Sequence, residues 1–310
     1  MSNPWNKFTA STGLQANPRK CKVYFGGVKE EDKQKILAVS GFEEGILSFK
    51  YLGVPLSSRK LSINQCQPLI DKIVARVNHW TTHLLSYAGR SQLVKSVLFS
   101  ITAYWAQVFP LPKKILHRVE AICRVFLWSG KSEGSRKAPI AWDKICDPNS
   151  AGGLSIVSLL EWNKVSMLKL LWNIQDKKDK LWVKWLDAYY IKGKNVRHWI
   201  VPADSSWIVK QIMKSREWIL DDQKWQQELT LEKFHTKKWY HALRGEKPKV
   251  EWRTILYHNH ARPWAKFHTW MVLMGRIPTK NRIAKFGVIT DMLCCFCNAE
   301  ETIEHLYFTC

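Results

Sequence analysis

The end of the chain carries cysteine and histidine side chains at a spacing that suits a metal ion. Cys294, Cys297, His305 and Cys310 form the pattern Cys-x2-Cys-x7-His-x4-Cys. Three thiolates and one imidazole are a ligand set that holds zinc in tetrahedral geometry. Because four protein ligands leave no open position, the pattern predicts one structural Zn²⁺ site and not a hydrolytic one.

Two points about this cluster stay open from sequence alone. Cys295 competes for the metal through a Cys-x-Cys spacing, but that spacing is cramped, and we interpret Cys295 as a thiol outside the ligand set. The alternative for the whole cluster is a group of reduced cysteines without a metal. The apolar neighbours are expected to form a small core around the site: Phe296, Leu306, Tyr307 and Phe308.

The remaining cysteines are predicted to be small core residues, because they lie scattered among apolar neighbours: Cys21, Cys66, Cys123 and Cys146. The N-terminus, MSNPWNKFTA, has no apolar signal region. The sequence therefore predicts an intracellular protein of the nucleus or cytoplasm, without a disulfide framework.

No arrangement of side chains predicts a catalytic site. Asp221 and Asp222 superficially resemble the paired carboxylates that hold magnesium in polymerases, but apolar strands do not bracket them. Solvated carboxylates at a helix end are the simpler interpretation. The sequence also lacks the phosphate-binding and nucleophile motifs G-x-x-x-x-G-K-[ST], G-x-G-x-x-G and G-x-S-x-G.

Basic side chains dominate the charge of the chain. The 310 residues include 48 Lys and Arg against 26 Asp and Glu, which gives a net charge of +22 and a pI near 9.7. Such a balance favours a polyanionic partner. A membrane would require about 20 consecutive apolar residues or a strongly basic amphipathic helix. The sequence shows neither, so RNA or DNA, and not a membrane, is the predicted partner.

Apolar residues recur at helical spacing after residue 60. Leu69, Ile73, Val77 and Trp80 define an amphipathic helix behind a capping-box-like Ser62-x-x-Gln65 start. The uncharged run Ser96–Pro112 is predicted to be a buried helix. Two further sets repeat the spacing on either side of a proline break: Leu93, Val97, Ile101, Trp105 and Val108, then Ile115, Val119, Ile122 and Phe126. Three successive helices predict a small bundle.

The outward faces of this bundle are predicted to be basic. Each basic side chain taken alone is better interpreted as an ordinary solvated residue, and only the set argues for contact with phosphates. The candidates for nucleic-acid contact are Lys72, Arg76, Arg90, Lys95, Lys113, Lys114 and Arg118.

A tryptophan-rich helical region follows the bundle. Its tryptophans lie among lysines, so they are candidates for a platform on which unpaired bases stack. The spacing favours another interpretation, because Trp182, Trp185 and Tyr189 lie at i, i+3 and i+7, which is typical of one buried helix face. We therefore predict core packing for this region.

Short runs along the chain follow the order of a known family. They are GLQANPRKC at 13–21, FKYLGVPL at 49–56, LSYAGR at 85–90, FLW at 126–128, CDP at 146–148 and GGL at 152–154. The last part adds Ile277-Pro278-Thr279, then the metal pattern with Glu301-Thr302 and His305-Leu306-Tyr307-Phe308. These runs resemble the C-terminal portion of plant LINE (non-LTR) retrotransposon reverse transcriptases, with their zinc-binding domain.

The residue pattern predicts a mainly α fold, with short N-terminal strands at Lys22–Phe25 and Phe49–Pro55, and the resemblance implies a division into four segments. The segments are 1–56, the remnant of the palm end and palm-to-thumb strands; 57–130, a thumb-like helical bundle; 131–235, a Trp-rich helical connector; and 236–310, a reverse-transcriptase-type zinc-binding domain.

The family's catalytic aspartates lie upstream of the point where this chain begins, so this chain alone is not expected to be an enzyme. The retained parts are expected to grip a template-primer duplex and to bind RNA or DNA. Three rival interpretations stay open: a degenerate retroelement remnant without selected activity, a non-catalytic interaction protein that depends on zinc, and a polymerase subunit whose partner supplies the aspartates.

Overall fold

The computed structural model describes residues 9–14, 17, 21–45, 49–51, 53–56, 59–81, 85–134, 138–176, 180–219, 221–257, 260–287 and 291–310. About 60% of it is helical and strands are few, so the predicted, mainly α fold class is confirmed. The chain forms two compact units, Met1–Leu61 with Ser206–Ile208 and Ser62–Ser205 with Val209–Cys310. The segment divisions expected at residues 56, 130 and 235 stay predictions.

The first unit contains a helix that the sequence analysis missed. Strand β1 (Lys22–Val23) pairs in parallel with β2 (Glu43–Glu44), and α1 (Glu30–Ser40) lies between them in the chain. The helix buries no side chain, so it lacks the apolar periodicity that reveals a helix in sequence. Its one signal is a first turn of acidic residues, which the positive end of the helix dipole favours: Glu30, Glu31 and Asp32.

The prediction of a single strand over Phe49–Pro55 is wrong. The structure divides it into β3 (Phe49–Tyr51) and β4 (Val54–Leu56), an antiparallel pair with Tyr51 opposite Val54. Gly53 lies between them with φ of 84°, a backbone conformation that glycine adopts without steric cost. Apolar residues continue on both sides of the turn and conceal it in the sequence.

The second unit begins with the predicted bundle: α2 (Gln67–Thr81), α3 (Tyr87–Leu93), α4 (Phe99–Val108) and α5 (Lys113–Ser129). The capping box is present, because Ser62 N donates to Gln65 Oε1 over 2.8 Å and Gln65 N donates to Ser62 Oγ over 3.2 Å. It begins a short 3-10 turn, Asn64–Cys66, that leads into α2. Leu69, Ile73 and Val77 are buried, as the spacing predicts.

A single wide turn joins α3 to α4, since Val94–Leu98 is π-helical. The predicted buried helix within Ser96–Pro112 is confirmed by α4, which buries Thr102, Ala103, Trp105 and Ala106. Pro112 then directly precedes α5. Among the residues that the structure describes, no helix is both long enough and apolar enough to cross a bilayer.

Nine further helices follow along the described part of the chain: α6 (Trp142–Ile145), α7 (Leu159–Gln175), α8 (Leu181–Leu186), α9 (Trp207–Lys214), α10 (Asp222–Leu229), α11 (Thr236–Arg244), α12 (Arg253–Tyr257), α13 (Pro263–Leu273) and α14 (Lys280–Ala284). All belong to the second unit except the first two residues of α9, which belong to the first. Helix α7 is central, because it packs against α4, α5 and α11.

Tryptophans build part of the core around α7, as predicted. Trp172 and Trp225 are almost wholly buried. Their indole N–H groups donate to Glu228 O over 3.1 Å and to Gln175 Oε1 over 2.9 Å. Because the polar end of each ring is satisfied, both rings stay buried without the cost of an unpaired donor.

The prediction that Trp182, Trp185 and Tyr189 form a buried face is wrong. They are 37%, 56% and 64% exposed. The residues of α8 that are buried are Val183 and Leu186, so the helix turns its opposite face inward. Sequence spacing showed that the three aromatic residues share a face but not which face the protein covers.

The chain after residue 235 is joined to the rest of its unit by buried polar contacts. Trp270 Nε1 donates to Gly152 O over 2.8 Å, and Arg244 donates to Asp147 Oδ1 over 2.8 Å. The backbone around Asp147 folds so tightly that a Cβ at Gly153 would lie 2.0 Å from Asp147 O. This close approach explains why glycine occupies position 153.

Candidate metal centre

A tight turn holds the first two candidate ligands. Leu293 and Glu300 form an antiparallel bridge that closes the loop between them. Within it Asn298 N donates to Cys294 O over 3.0 Å, and Asn298 adopts a φ of 56°, which asparagine tolerates better than most residues. The turn places Cys294 and Cys297 on the same side of the loop.

A π-helical turn brings in the other two ligands. His305–Thr309 is π-helical, and Cys310 N donates to His305 O over 2.8 Å. In an α-helix a residue five positions ahead would lie about 140° further round the axis. The wider turn corrects this offset, so Cys310 returns to the side of His305. Thr302 begins the turn, since its Oγ1 accepts from His305 N over 3.0 Å.

The four ligand atoms lie close enough to share one ion, as all are within 4.8 Å of one another. Cys310 Sγ is 3.9 Å from both Cys294 Sγ and Cys297 Sγ, and Cys297 Sγ is 3.0 Å from His305 Nε2. Two sulfur ligands of a tetrahedral zinc would lie about 3.8 Å apart. The sulfur positions therefore fit zinc, and the closer Cys297–His305 pair must separate slightly to admit it.

Local hydrogen bonds already favour the metal-binding form of one ligand. The backbone N–H of Phe296 and then the side chain of His305 lower the pKa of Cys294 to about 6. The thiolate, and not the thiol, binds metal. Burial acts in the opposite direction on the core cysteines, raising the pKa of Cys66 to about 11 and of Cys123 to about 12. Those two are buried core residues, as predicted.

Two other cysteine predictions have different outcomes. Cys146 is buried, but Cys21 is only partly buried, so its assignment to the core is wrong. Cys295 is exposed and lies outside the cluster of four, which agrees with its interpretation as a thiol outside the ligand set.

The prediction of a small apolar core around the site is also wrong. Phe296 and Phe308 are 84% and 74% exposed. Polar contacts hold the ligand-bearing turns instead: Lys280 N donates to Glu301 Oε1 over 2.9 Å, and His268 Nε2 lies 2.6 Å from Tyr307 Oη. The sequence gives little sign of these supports. Only Thr302, three residues before His305, had the spacing of a cap.

Five of the seven predicted nucleic-acid contacts are exposed on two helices. Lys72 and Arg76 lie one turn apart on α2, and Lys113, Lys114 and Arg118 lie on the first turns of α5. Arg118 donates to Gln67 Oε1 over 3.3 Å, so the start of α2 lies beside this part of α5. These five side chains are here called the basic surface.

The remaining two predicted contacts are half-buried. The guanidinium of Arg90 donates to Leu85 O and Leu127 O over 3.0 and 3.1 Å, and burial lowers the pKa of Lys95. Arg90 thus has a structural role whatever it binds. Contact of nucleic acid with any of the seven stays a prediction.

Asp221 and Asp222, at the end of the Trp-rich region, bind groups of the protein itself. Asp221 Oδ1 accepts from Lys224 N over 3.0 Å and caps α10, while Asp222 pairs with Arg197. This agrees with their interpretation as carboxylates at a helix end.

Comparison with known proteins connects the metal cluster to one family. Residues 234–310 match the model of a family described as zinc-binding in reverse transcriptase. Over 153 residues, 49% of this chain, the sequence is 28% identical to an Arabidopsis thaliana protein named "Putative ribonuclease H protein". The match spans only 25% of that relative. The family match covers the Cys₃His cluster, which is therefore a candidate metal site.

Proposed function

We propose that this chain acts as the nucleic-acid-binding, C-terminal part of a plant LINE-type reverse transcriptase, and that zinc stabilises its last segment. The observation that carries the proposal is the Cys₃His cluster, which lies within the residues that match the zinc-binding family of reverse transcriptases. The proposed partner is RNA or DNA in duplex or template-primer form, in the nucleus or cytoplasm.

The zinc has a structural role in this proposal. Cys294, Cys297, His305 and Cys310 would hold it, and four protein ligands leave no position for a reacting water. Because Phe296 and Phe308 beside the ligands are exposed, the metal takes the place of an apolar core around the two ligand-bearing turns. Binding energy of a structural zinc contributes directly to folding, so metal loss should disorder the two ligand-bearing turns.

The basic surface supplies the contact with phosphates. Its lysines and arginines are exposed on neighbouring helices, and the whole chain carries a charge of +22. Contacts of this kind position a duplex without reading its sequence. The proposal assigns binding and no catalysis to this chain alone, which is consistent with the local engagement of Asp221 and Asp222.

The test combines metal content with nucleic-acid binding. We expect about one zinc per purified chain by mass spectrometry, and a weaker affinity for a duplex after chelation. Cys297→Ser should lose the metal. Cys295→Ser is the matched control, because Cys295 is an exposed neighbouring thiol outside the cluster, and it should retain both zinc and affinity.

Two results would contradict the proposal. A native chain without zinc would remove the structural role of the cluster. A chain that holds zinc but does not bind a duplex at low salt would favour an inert retroelement remnant or a zinc-dependent interaction protein.

A further inference from the structure

An exposed stack of aromatic rings lies on the Trp-rich part of the second unit, away from the metal centre in sequence. The rings of Trp185 and Tyr189 are parallel within 6°, with centroids 5.6 Å apart. Tyr190 stands edge-on to both rings, with centroids 5.7 Å and 4.9 Å away. More than half of the Trp185 and Tyr189 surface is exposed. We call these three residues the aromatic platform.

A local distortion of the helix builds this platform. The chain is π-helical over Asp187–Ile191, directly after α8. The wide turn places both the fourth and the fifth residue after Trp185 against its ring. Lys192 N closes the turn by donating to Asp187 O over 2.6 Å, and Lys192 adopts a φ of 54°. A lysine in the left-handed region costs about 1 kcal/mol or more, and such π turns are frequent at functional sites.

Two lysines lie beside the platform. Tyr189 and Tyr190 line an open cleft of about 890 Å³, with Lys192, Lys194 and His198 beside them and Asp204 as the one acidic residue of its lining. Lys192 and Lys194 are exposed and form no ion pair with any residue that the structure describes. An apolar protein surface would cover the rings but would leave these two ammonium groups without a counter-charge.

From this juxtaposition we infer that the aromatic platform binds unpaired bases of single-stranded RNA or DNA, while Lys192 and Lys194 contact the adjacent phosphates. Every base has a flat face that stacks on an aromatic ring, so the binding is tolerant of sequence. Bases inside a duplex are stacked on both faces and offer no free face. The site therefore differs from the basic surface in both position and ligand, and it does not depend on zinc.

The test measures binding of an oligothymidine of about 12 nucleotides, a length within the usual range of single-strand sites. Trp185→Ala and Tyr189→Ala should each weaken it roughly tenfold, because one stacked base contributes about that factor. Trp185→Phe and Tyr189→Phe should retain most of the affinity, since each preserves a ring. Trp264→Ala is the matched control: Trp264 is 59% exposed and has no part in the platform, so its loss should change nothing.

A second probe separates bases from phosphates. An abasic strand of the same length carries the same charge but offers nothing to stack. The native chain should bind it about as weakly as the alanine variants bind oligothymidine. Equal affinity for the abasic and the thymidine strand would overturn the inference, as would alanine variants that bind oligothymidine like the native chain.

Duplex affinity and zinc content, measured on the same variants, keep this inference separate from the proposed function. Both should stay unchanged in Trp185→Ala. If the native chain binds no duplex and no zinc, but Trp185→Ala still weakens its binding to a single strand, the proposed function fails and the inference about the platform stands. If self-association is lost in Trp185→Ala while single-strand affinity is unchanged, the platform belongs to a second copy of the chain and the inference fails.

Discussion

Glu120 is a buried carboxylate that connects two central helices. It is 9% exposed, and its Oε1 accepts from Leu159 N, at the start of α7, over 3.0 Å. Burial raises the pKa of the carboxyl, and the hydrogen bond from Leu159 N partly opposes this. His117 Nδ1 lies 4.0 Å from Oε2, and the nearby Asp143 adds a small further upward shift. Glu120 thus serves as an acceptor in a place that disfavours its charge.

The pH dependence of stability follows from this position. A raised pKa means that the folded chain holds the Glu120 proton more tightly than the unfolded chain does, so Glu120 favours folding below its ordinary pKa. That contribution is lost as the pH rises through the raised pKa. Glu120→Gln keeps an acceptor and removes the charge. We expect its free energy of unfolding at pH 7 to equal or exceed the native value, with less dependence on pH above 4.5.

Urea denaturation at several pH values measures both effects. Glu120→Ala is the contrasting variant, because it leaves Leu159 N buried without an acceptor at a cost of about 1–3 kcal/mol. If the Gln variant is destabilised at pH 7 as strongly as the Ala variant, the carboxylate charge itself stabilises the fold and our account of Glu120 is wrong.

Single residues differ in how far the sequence predicts their role. The four metal ligands were predictable because zinc imposes both residue type and spacing. The exposure of Trp185 and Tyr189 was not, because spacing identifies a shared face and only the tertiary fold decides whether that face is covered. The role of Glu120 was equally hidden, since its partner Leu159 is 39 positions away in the chain.

At the scale of elements, Arg90 joins the start of one helix to the end of another. It lies on α3, and its guanidinium satisfies Leu127 O in the last turn of α5, where carbonyls lack partners within the helix. It also lies over the Tyr87 ring, 4.8 Å from the centroid. The same residue was predicted to contact nucleic acid, so its two possible roles need separate measurements.

Arg90→Ala should therefore act mainly on stability. Loss of the guanidinium leaves Leu127 O and Leu85 O without this donor, which should lower the free energy of unfolding by about 1–3 kcal/mol. Arg118→Ala is the matched control on α5, because Arg118 is exposed and its partner among the described residues is the Gln67 side chain. It should change stability by no more than about 0.5 kcal/mol.

Urea denaturation gives the stabilities, and duplex affinity is measured where both variants are folded. The structural role of Arg90 is contradicted if the two variants are equally stable. A larger loss of affinity in Arg90→Ala than in Arg118→Ala would instead support the contact predicted from sequence.

Helices were predictable where one face is buried and where prolines mark their ends. Helices α2, α4 and α5 follow from apolar spacing and from Pro110 and Pro112. Helix α1 was missed because it buries no side chain, and the hairpin of β3 and β4 because apolar residues continue on both sides of its turn. The π turns at 187–191 and 305–309 leave no mark in a pattern that assumes 3.6 residues per turn.

At the scale of the whole molecule, net charge and a localised surface make different predictions. A charge of +22 attracts any polyanion over long distances, whereas a surface of aligned side chains neutralises particular phosphates. The composition predicted that the chain attracts a polyanion, but not which surface binds it. Only the structure separates the five exposed residues on α2 and α5 from Arg90 and Lys95, which are half-buried.

The dependence of duplex affinity on salt distinguishes these two sources of binding. If roughly three or more phosphates are neutralised, affinity should fall by tenfold or more between about 50 and 200 mM salt. A quintuple variant with Lys72, Arg76, Lys113, Lys114 and Arg118 changed to Gln should bind more weakly. The slope of log affinity against log salt should also become shallower, by about 0.9 for each phosphate that the variant no longer neutralises.

The matched control removes the same charge from elsewhere. Lys29, Lys60, Lys131, Lys214 and Lys233 are exposed and lie outside the basic surface, so a variant with these five changed to Gln has the same net charge as the first. It should keep the native slope, because counterions are released only where side chains meet phosphates. Equal changes in the two variants would show that affinity follows net charge alone, and the basic surface would then have no special role in binding.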